Sequence, residues 1–198
     1  HSVGLRADGS LAAWGNTALF QQRSLLDVPQ GNNFVAIAAG YTHSMALRND
    51  GTIACWGWDF SGETYPPDNF DNVIAIACGE KWSLVLDDEG LLHAWGESAT
   101  CGDSPGPGPC AKCHNQSSQH YIPTAVPDPD YGHFFIAISA SGHFGLALQE
   151  DGALKAWGAD DHCQVTEAYT GYTTKFTAGH KHGIALDQNG AIATGSMW

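Results

Sequence analysis

The sequence predicts an all-β protein, a β-propeller of about five repeat blades or part of a larger propeller. Three observations carry this. A pattern recurs five times, as "HSVGLRADGSLAAWG" from His1, "HSMALRNDGTIACWG" from His43, "WSLVLDDEGLLHAWG" from Trp82, "FGLALQEDGALKAWG" from Phe144 and "HGIALDQNGAIATGS" from His182. Its anchor glycines, Gly9, Gly51, Gly90, Gly152 and Gly190, are spaced by about 40 residues except for one step of about 60, within the range of propeller blades. Each copy also has the alternation of a hairpin, and four are preceded by a short apolar run rich in small residues.

The units run over about 1–33, 34–72, 73–96, 134–172 and 173–198, with a Cys/Pro/Gly-rich insertion at 97–132. The first supplies a hairpin without a preceding apolar run. In the second, Met45 and Leu47 alternate up to Asn49, Asp50 and Gly51, and Ile53 and Cys55 alternate away from them. Asn, Asp and Gly tolerate positive φ or cap their own backbone, so they place the turn. Upstream, "FVAIAAG" reads as an inner strand, where crowding of neighbouring backbones favours small residues. The third, fourth and fifth units supply "VIAIACG", "FFIAISAS" and "FTAG" in the same place. Three short strands and a variable fourth make a sheet too small to cover both its faces. Radial stacking covers them.

Over these motifs the chain resembles the regulator of chromosome condensation repeat family, whose unit reads approximately V-x-x-I-x-A-G-x-x-H-S-x-A-L-x-x-D-G-x-V-x-x-W-G. The clearest match is "IAAGYTHSMALRNDGTIACWGWDFSG", from Ile37 to Gly62, and the likeness extends over nearly the whole chain outside the insertion. The resemblance implies a propeller, commonly of seven blades. It leaves function open, because such families include exchange factors, inhibitors, ligase subunits and secreted scaffolds. The sequence departs from the pattern where Trp82 and Phe144 replace the repeat histidine, Ser141 replaces a glycine and "ATGS" replaces the last Trp-Gly.

Charge narrows the partners. Eight Lys and Arg stand against 21 Asp and Glu, a formal charge of −13, and no basic cluster interrupts it, so nucleic acid is not an expected partner. Membrane insertion is not expected either, since no apolar run approaches the roughly 18 residues of a spanning helix. A protein partner or self-assembly is. Beginning at His1, the chain reads as a processed protein or part of a longer one.

Recurrence explains most candidate site residues without chemistry. His1, His43 and His182 share one repeat position and read as strand histidines bonded to backbone rather than as metal ligands. Trp14, Trp56, Trp95 and Trp157 read as blade-packing aromatics, and Asp8, Asp50 and Asp151 as turn residues. Trp58, Tyr65, Tyr169 and Tyr172 lie outside the repeat consensus and are candidates for a ligand-stacking surface, as in a lectin. No G-x-S-x-G elbow, H-E-x-x-H, Walker loop or dinucleotide fingerprint occurs, so enzymatic activity is not expected.

The cysteines leave three readings open. Cys55 and Cys78 lie on strands of successive units, as buried thiols or a disulfide pair. Cys101 and Cys163 each fall six residues after their unit's Trp, a second candidate pair. In "SPGPGPCAKCHNQSSQH", Cys110, Cys113 and His114 have the spacing that attaches a c-type haem, with His120, His133 and His162 as candidate distal ligands. Zinc is a further candidate, held by Cys101, Cys110, Cys113 and either His114 or Cys163. The competing reading is a disulfide-stapled surface loop without cofactor, glycosylated at the Asn115 sequon. The first expectation is therefore a non-catalytic binding or assembly scaffold in an extracellular or periplasmic setting. A haem-bearing electron-transfer protein is the alternative.

Overall fold

The computed structural model describes residues 1–15, 25–59, 61–67, 70–96, 126–130, 132–160, 165 and 168–195. Among them the regular structure is all strand: β1 (Ser2–Leu5), β2 (Leu11–Trp14), β3 (Phe34–Ala39), β4 (His43–Arg48), β5 (Ile53–Gly57), β6 (Val73–Cys78), β7 (Trp82–Asp87), β8 (Leu92–Gly96), β9 (Phe135–Ser141), β10 (Phe144–Gln149), β11 (Leu154–Gly158), β12 (Thr173–Ala178), β13 (Gly183–Asp187) and β14 (Ile192–Gly195). Each repeat forms its own antiparallel sheet: β1-β2, β3-β4-β5, β6-β7-β8, β9-β10-β11 and β12-β13-β14. These are the blades of a β-propeller. No helix of the described residues is long and apolar enough to cross a membrane.

Turn chemistry sets each hairpin. Asp50 Oδ1 accepts from Thr52 N and Thr52 Oγ1, Asp8 Oδ1 does the same with Ser10, and Asp151 Oδ1 accepts from Ala153 N. The next residue must take positive φ, as Gly51 does at 81°, where a side chain on an L-residue crowds the backbone. The full blades also share a register shift near the start of the inner strand, between Phe34 and Ala36, Val73 and Ala75, and Thr173 and Lys175, with its counterpart in the fourth blade at Leu148 and Gln149. A bulge there increases local twist.

Blades stack in chain order. β1 packs on β3, β3 and β4 on β6, β6 and β7 on β9, and β9 and β10 on β12, while no packing of like extent joins β12–β14 to β1–β2 among the described residues. The core is consequently a series of layers between blades. Leu11, Phe34, Ala46 and Trp56 fill the first, Met45, Leu47, Val73, Val85 and Trp95 the second, and Leu84, Leu86, Phe135, Ala147 and Trp157 the third. Alternation along β4 decides which layer each residue enters: Ala46 faces the first blade, while Met45 and Leu47 face the third. Covered on both faces, β7 and β10 are buried throughout.

Candidate interaction surface

The blade junctions are tied at both ends of the sheets, and the two ends use different chemistry. At the hairpin end, Gly9 O accepts from Phe34 N, Gly51 O from Val73 N, Gly90 O from Phe135 N and Gly152 O from Thr173 N, all at 2.9–3.2 Å. The turn of one blade is thus bonded to the first residues of the next inner strand. These approaches are so close that a Cβ on Gly51 would stand 2.3 Å from Asp71 O.

At the opposite end, side chains make the link. His1 Nε2 lies 2.7 Å from Ser44 Oγ, His43 Nε2 lies 3.0 Å from Ser83 Oγ, and Trp82 Nε1 donates to Gly142 O at 2.8 Å. His1 and His43 therefore bond to a serine of the next blade, where the sequence suggested backbone. Trp82, at the histidine position, reaches further and takes a carbonyl. His43 is fully buried, and desolvation holds its ring pKa down at about 4 against the opposing pull of Asp59.

The connection between the second and third blades adds a group no sequence signal marked. Glu63 is fully buried; its carbonyl accepts from Ser83 Oγ at 2.8 Å and Trp95 Nε1 at 3.0 Å, and its Oε2 accepts from Ser61 N. Its Oε1, with Thr42 Oγ1 and His43 Nδ1, has no hydrogen-bond partner. Glu63 anchors the connection by its backbone, so its identity leaves no periodic trace.

Exposed groups collect at this same end. Tyr41 is 66% exposed and follows the second inner strand; Tyr65, two residues past Glu63, is 60% exposed. Beside them in the repeat, Glu80 Oε2 and His143 Nε2 pair at 3.2 Å across the third and fourth blades. β8 also finishes here, with Gly96 in register with Trp82. The hairpin end is different in character: Asp8, Asp50, Asp88, Glu89, Glu150 and Asp151 all occupy its turns.

The four candidate stacking aromatics do not share a surface. Trp58 N bonds to Thr42 O at the Tyr41 end, whereas Tyr172 lies against Gly152 at the hairpin end. Tyr169 is tucked between blades, lining a small apolar cleft with Leu146, Leu154 and Ile184. His133, named as a distal haem ligand, stands 3.6 Å from Glu150 Oε1 and 3.7 Å from Asp151 Oδ2. The candidate disulfide between Cys55 and Cys78 is not formed; both are free thiols between the second and third blades. Burial pushes Cys55 up to about 12 and Cys78 well above the ordinary thiol value, which removes the thiolate that disulfide exchange requires. Cys101, Cys110, Cys113, His114, Asn115, His120, His162 and Cys163 lie outside the described residues. Within the described residues no group of three or more His, Cys, Asp or Glu is placed to hold a metal.

Comparison with known proteins agrees with this geometry. Residues 34–63 match the model of the Regulator of chromosome condensation (RCC1) repeat. A comparison with curated protein sequences found no match. Among solved structures, human WBSCR16 gives a TM-score of 0.64 at 16% identity, over 85% of this chain and 49% of its own. Yeast RCC1 (Prp20), in a crystal structure bound to Kap60, gives 0.63 at 21% identity, over 84% and 45%. The ectodomain of the Arabidopsis thaliana receptor kinase ACR4 gives 0.65 at 15% identity, over 98% and 64%. The chain spans about half the length of the first two. Residues 34–63 carry an RCC1 repeat, and the chain has the β-propeller fold of the RCC1 proteins.

Proposed function

We propose that this chain is a non-catalytic scaffold that binds a protein partner through the loops at the Tyr41 end, outside the reducing cytoplasm. The observation that carries the reading is the double tie at each of the first three junctions, a backbone bond at one end and a His or Trp side-chain bond at the other. Such ties hold loops in fixed relative positions, which lowers the ordering cost of binding. Tyr41 and Tyr65 are exposed on that frame, and tyrosine supplies large contact area at small conformational cost. Yeast Prp20 has its own partners, Kap60 in one structure, and Gsp1p and histones in another study. At 20–21% identity only its fold is common ground with this chain. The extracytoplasmic setting rests on the cysteine-rich insertion and the Asn115 sequon.

The test is selection of binders from secreted proteins on the immobilised chain, followed by calorimetry with wild type and the Tyr41→Ala/Tyr65→Ala double variant. Loss of affinity of about tenfold or more in the variant is the expected result. Equal affinity would remove this surface from the reading, and retention of no protein would end it. The spacing of Cys110, Cys113 and His114 supports a second reading, electron transfer by a covalent haem.

A further inference from the structure

The inner strands of the second to fifth blades share an irregularity at one place. The register shift leaves one residue of each without a partner on the middle strand: Val35 between Phe34 and Ala36, Ile74 between Val73 and Ala75, Ile136 between Phe135 and Ala137, and Thr174 between Thr173 and Lys175. All four are exposed, although Phe34, Val73, Phe135 and Thr173 just before them are buried. A bulge re-aims the side chain of its extra residue, and here it turns a β-branched residue out of the stack near the hairpin end.

The strands of Ile74 and Ile136 are enclosed on both sides. β6 packs between β3 and β9, and β9 between β6 and β12, yet Ile74 is 53% and Ile136 is 47% exposed. Their exposure belongs to the middle of the array and does not depend on where the chain begins or ends. Two aromatic side chains join them at the lead-in to the inner strands, where the second and third blades have Asn33 and Asn72. Phe134 lies against Gly90, the turn glycine of the third blade, and Tyr172 against Gly152, that of the fourth; each is about half exposed. The same turns carry exposed acids, Asp88 and Glu89 beside Gly90 and Glu150 and Asp151 beside Gly152, and Glu150 N donates to Phe134 O at 3.1 Å. Phe134 therefore stands between two pairs of carboxylates. Lys155 is taken up by Asp130 at 2.8 Å, Arg48 lies over the Phe34 ring in the second blade, and His133 stands beside Glu150 and Asp151.

We propose that the hairpin-end face of the third and fourth blades docks a basic segment of a partner protein, one in which arginine or lysine flanks apolar side chains. The apolar side chains cover Ile74, Phe134, Ile136 and Tyr172, and the cations meet the carboxylates of the two turns. Burial of the exposed isoleucines and aromatics supplies affinity, while the acids set orientation and speed the encounter. Charge complementarity selects this occupant over a second copy of the chain, which at a formal −13 would bring acid to acid. The face lies at the opposite end of the sheets from Tyr41, so it stands whatever the Tyr41-end loops bind.

Fluorescence anisotropy with the full chain and labelled synthetic peptides tests it. The probe is a short peptide that alternates arginine with leucine; one control alternates arginine with serine, the other glutamate with leucine. The arginine-leucine peptide should bind, and both controls should bind about tenfold or more weakly. Ile74→Ser/Ile136→Ser should weaken binding of the probe by about tenfold. Glu89→Gln/Glu150→Gln, confined to exposed turns, should also weaken it and flatten its dependence on salt. Tyr41→Ala/Tyr65→Ala should leave it unchanged, which separates this face from the Tyr41 end. Circular dichroism confirms that the variants are folded. The proposal is overturned if the arginine-leucine peptide fails to bind, if the arginine-serine peptide binds as tightly, if the isoleucine or glutamate variants bind as well as wild type, or if the loss appears only in the tyrosine variant.

Discussion

His43 of the second blade holds its Nε2 3.0 Å from Ser83 Oγ of the third, and Ser83 donates its own proton to Glu63 O at 2.8 Å. A hydroxyl that donates to a carbonyl accepts from the imidazole. The ring is therefore the Nε2–H tautomer, with Nδ1 bare, buried and unpartnered.

Protonating that Nδ1 would place a charge in a fully buried site, and the folded pKa of about 4 expresses the penalty. The unfolded histidine titrates near 6.5. Above that pH both states are neutral and the stability is intact; between about 6.5 and about 4 the unfolded chain takes up a proton that the folded chain refuses. Stability should fall by on the order of 3 kcal/mol across this window and then level off for this group. Urea unfolding at closely spaced pH values reads the loss, and the His43 Cε1 proton shift should stay flat down to pH 5. A ring titrating near 6.5 in the native protein would contradict the tautomer and its burial. The carboxyls of Asp8, Asp50 and Asp187, held below their ordinary value by hydrogen bonds from the turns, lose their contribution at lower pH and leave the window clear.

Ser83→Ala should separate the two latches. It leaves the His43 N–H without an acceptor in a buried site, while Glu63 O keeps the Trp95 bond at 3.0 Å. An unmade buried hydrogen bond costs about 1–3 kcal/mol. Ser44→Ala removes the hydroxyl partner of a part-buried His1, which water can reach, so its cost should be smaller. Denaturant midpoints of both variants decide it, and equal losses would show that burial does not distinguish the junctions.

The turn glycines offer a matched pair. Gly51 and Gly190 have φ of 81° and 80°, so alanine at either meets the same backbone penalty, about 1–2 kcal/mol. Only at Gly51 would the new Cβ also strike a backbone carbonyl of the following connection. Gly51→Ala should therefore destabilise clearly more than Gly190→Ala in thermal or urea melts. Equal losses would mean that the turn-to-strand tie adds nothing beyond local conformation.

Hairpins were legible because their determinants are local: alternation through Met45 and Leu47 and an Asp-Gly turn lie within one unit. The same locality hid the latches. His43 and Ser83 are 40 residues apart, and only the recurrence of serine after the repeat His or Trp, in "HS" and "WS", signals that the position receives a neighbour. Asp87 and Asp187 take over the turn-capping bonds in the third and fifth blades from two positions earlier in the repeat than Asp50 does in the second, a substitution of role that the repeat alignment obscured. Trp14 shares its position with buried tryptophans and is exposed, because pattern records which face a residue takes and not whether a blade covers it. Glu63 had no sequence signal, being placed by hydrogen bonds to its backbone.

The thiols give the next prediction. Cys55 and Cys78 sit in the layer between the second and third blades with their thiolates disfavoured by burial. Alkylation of the native protein with iodoacetamide, read peptide by peptide by mass spectrometry, should leave both unmodified until the chain is unfolded. Rapid native labelling would mean that this junction opens.

The "CAKCH" stretch yields to a spectrum and a mass. A stapled loop on a secreted scaffold requires no chromophore, and the proposed function expects a colourless protein whose intact mass rises on reduction by two hydrogens for each bridge. With Cys55 and Cys78 free in the fold, those bridges must come from Cys101, Cys110, Cys113 and Cys163. A covalent haem would instead add its full mass, survive denaturation and give a Soret band, because thioethers at Cys110 and Cys113 persist when the fold is lost. That outcome would move the function to electron transfer, with His114 as the axial ligand beside the attachment cysteines, and would leave the propeller as the frame that holds the haem.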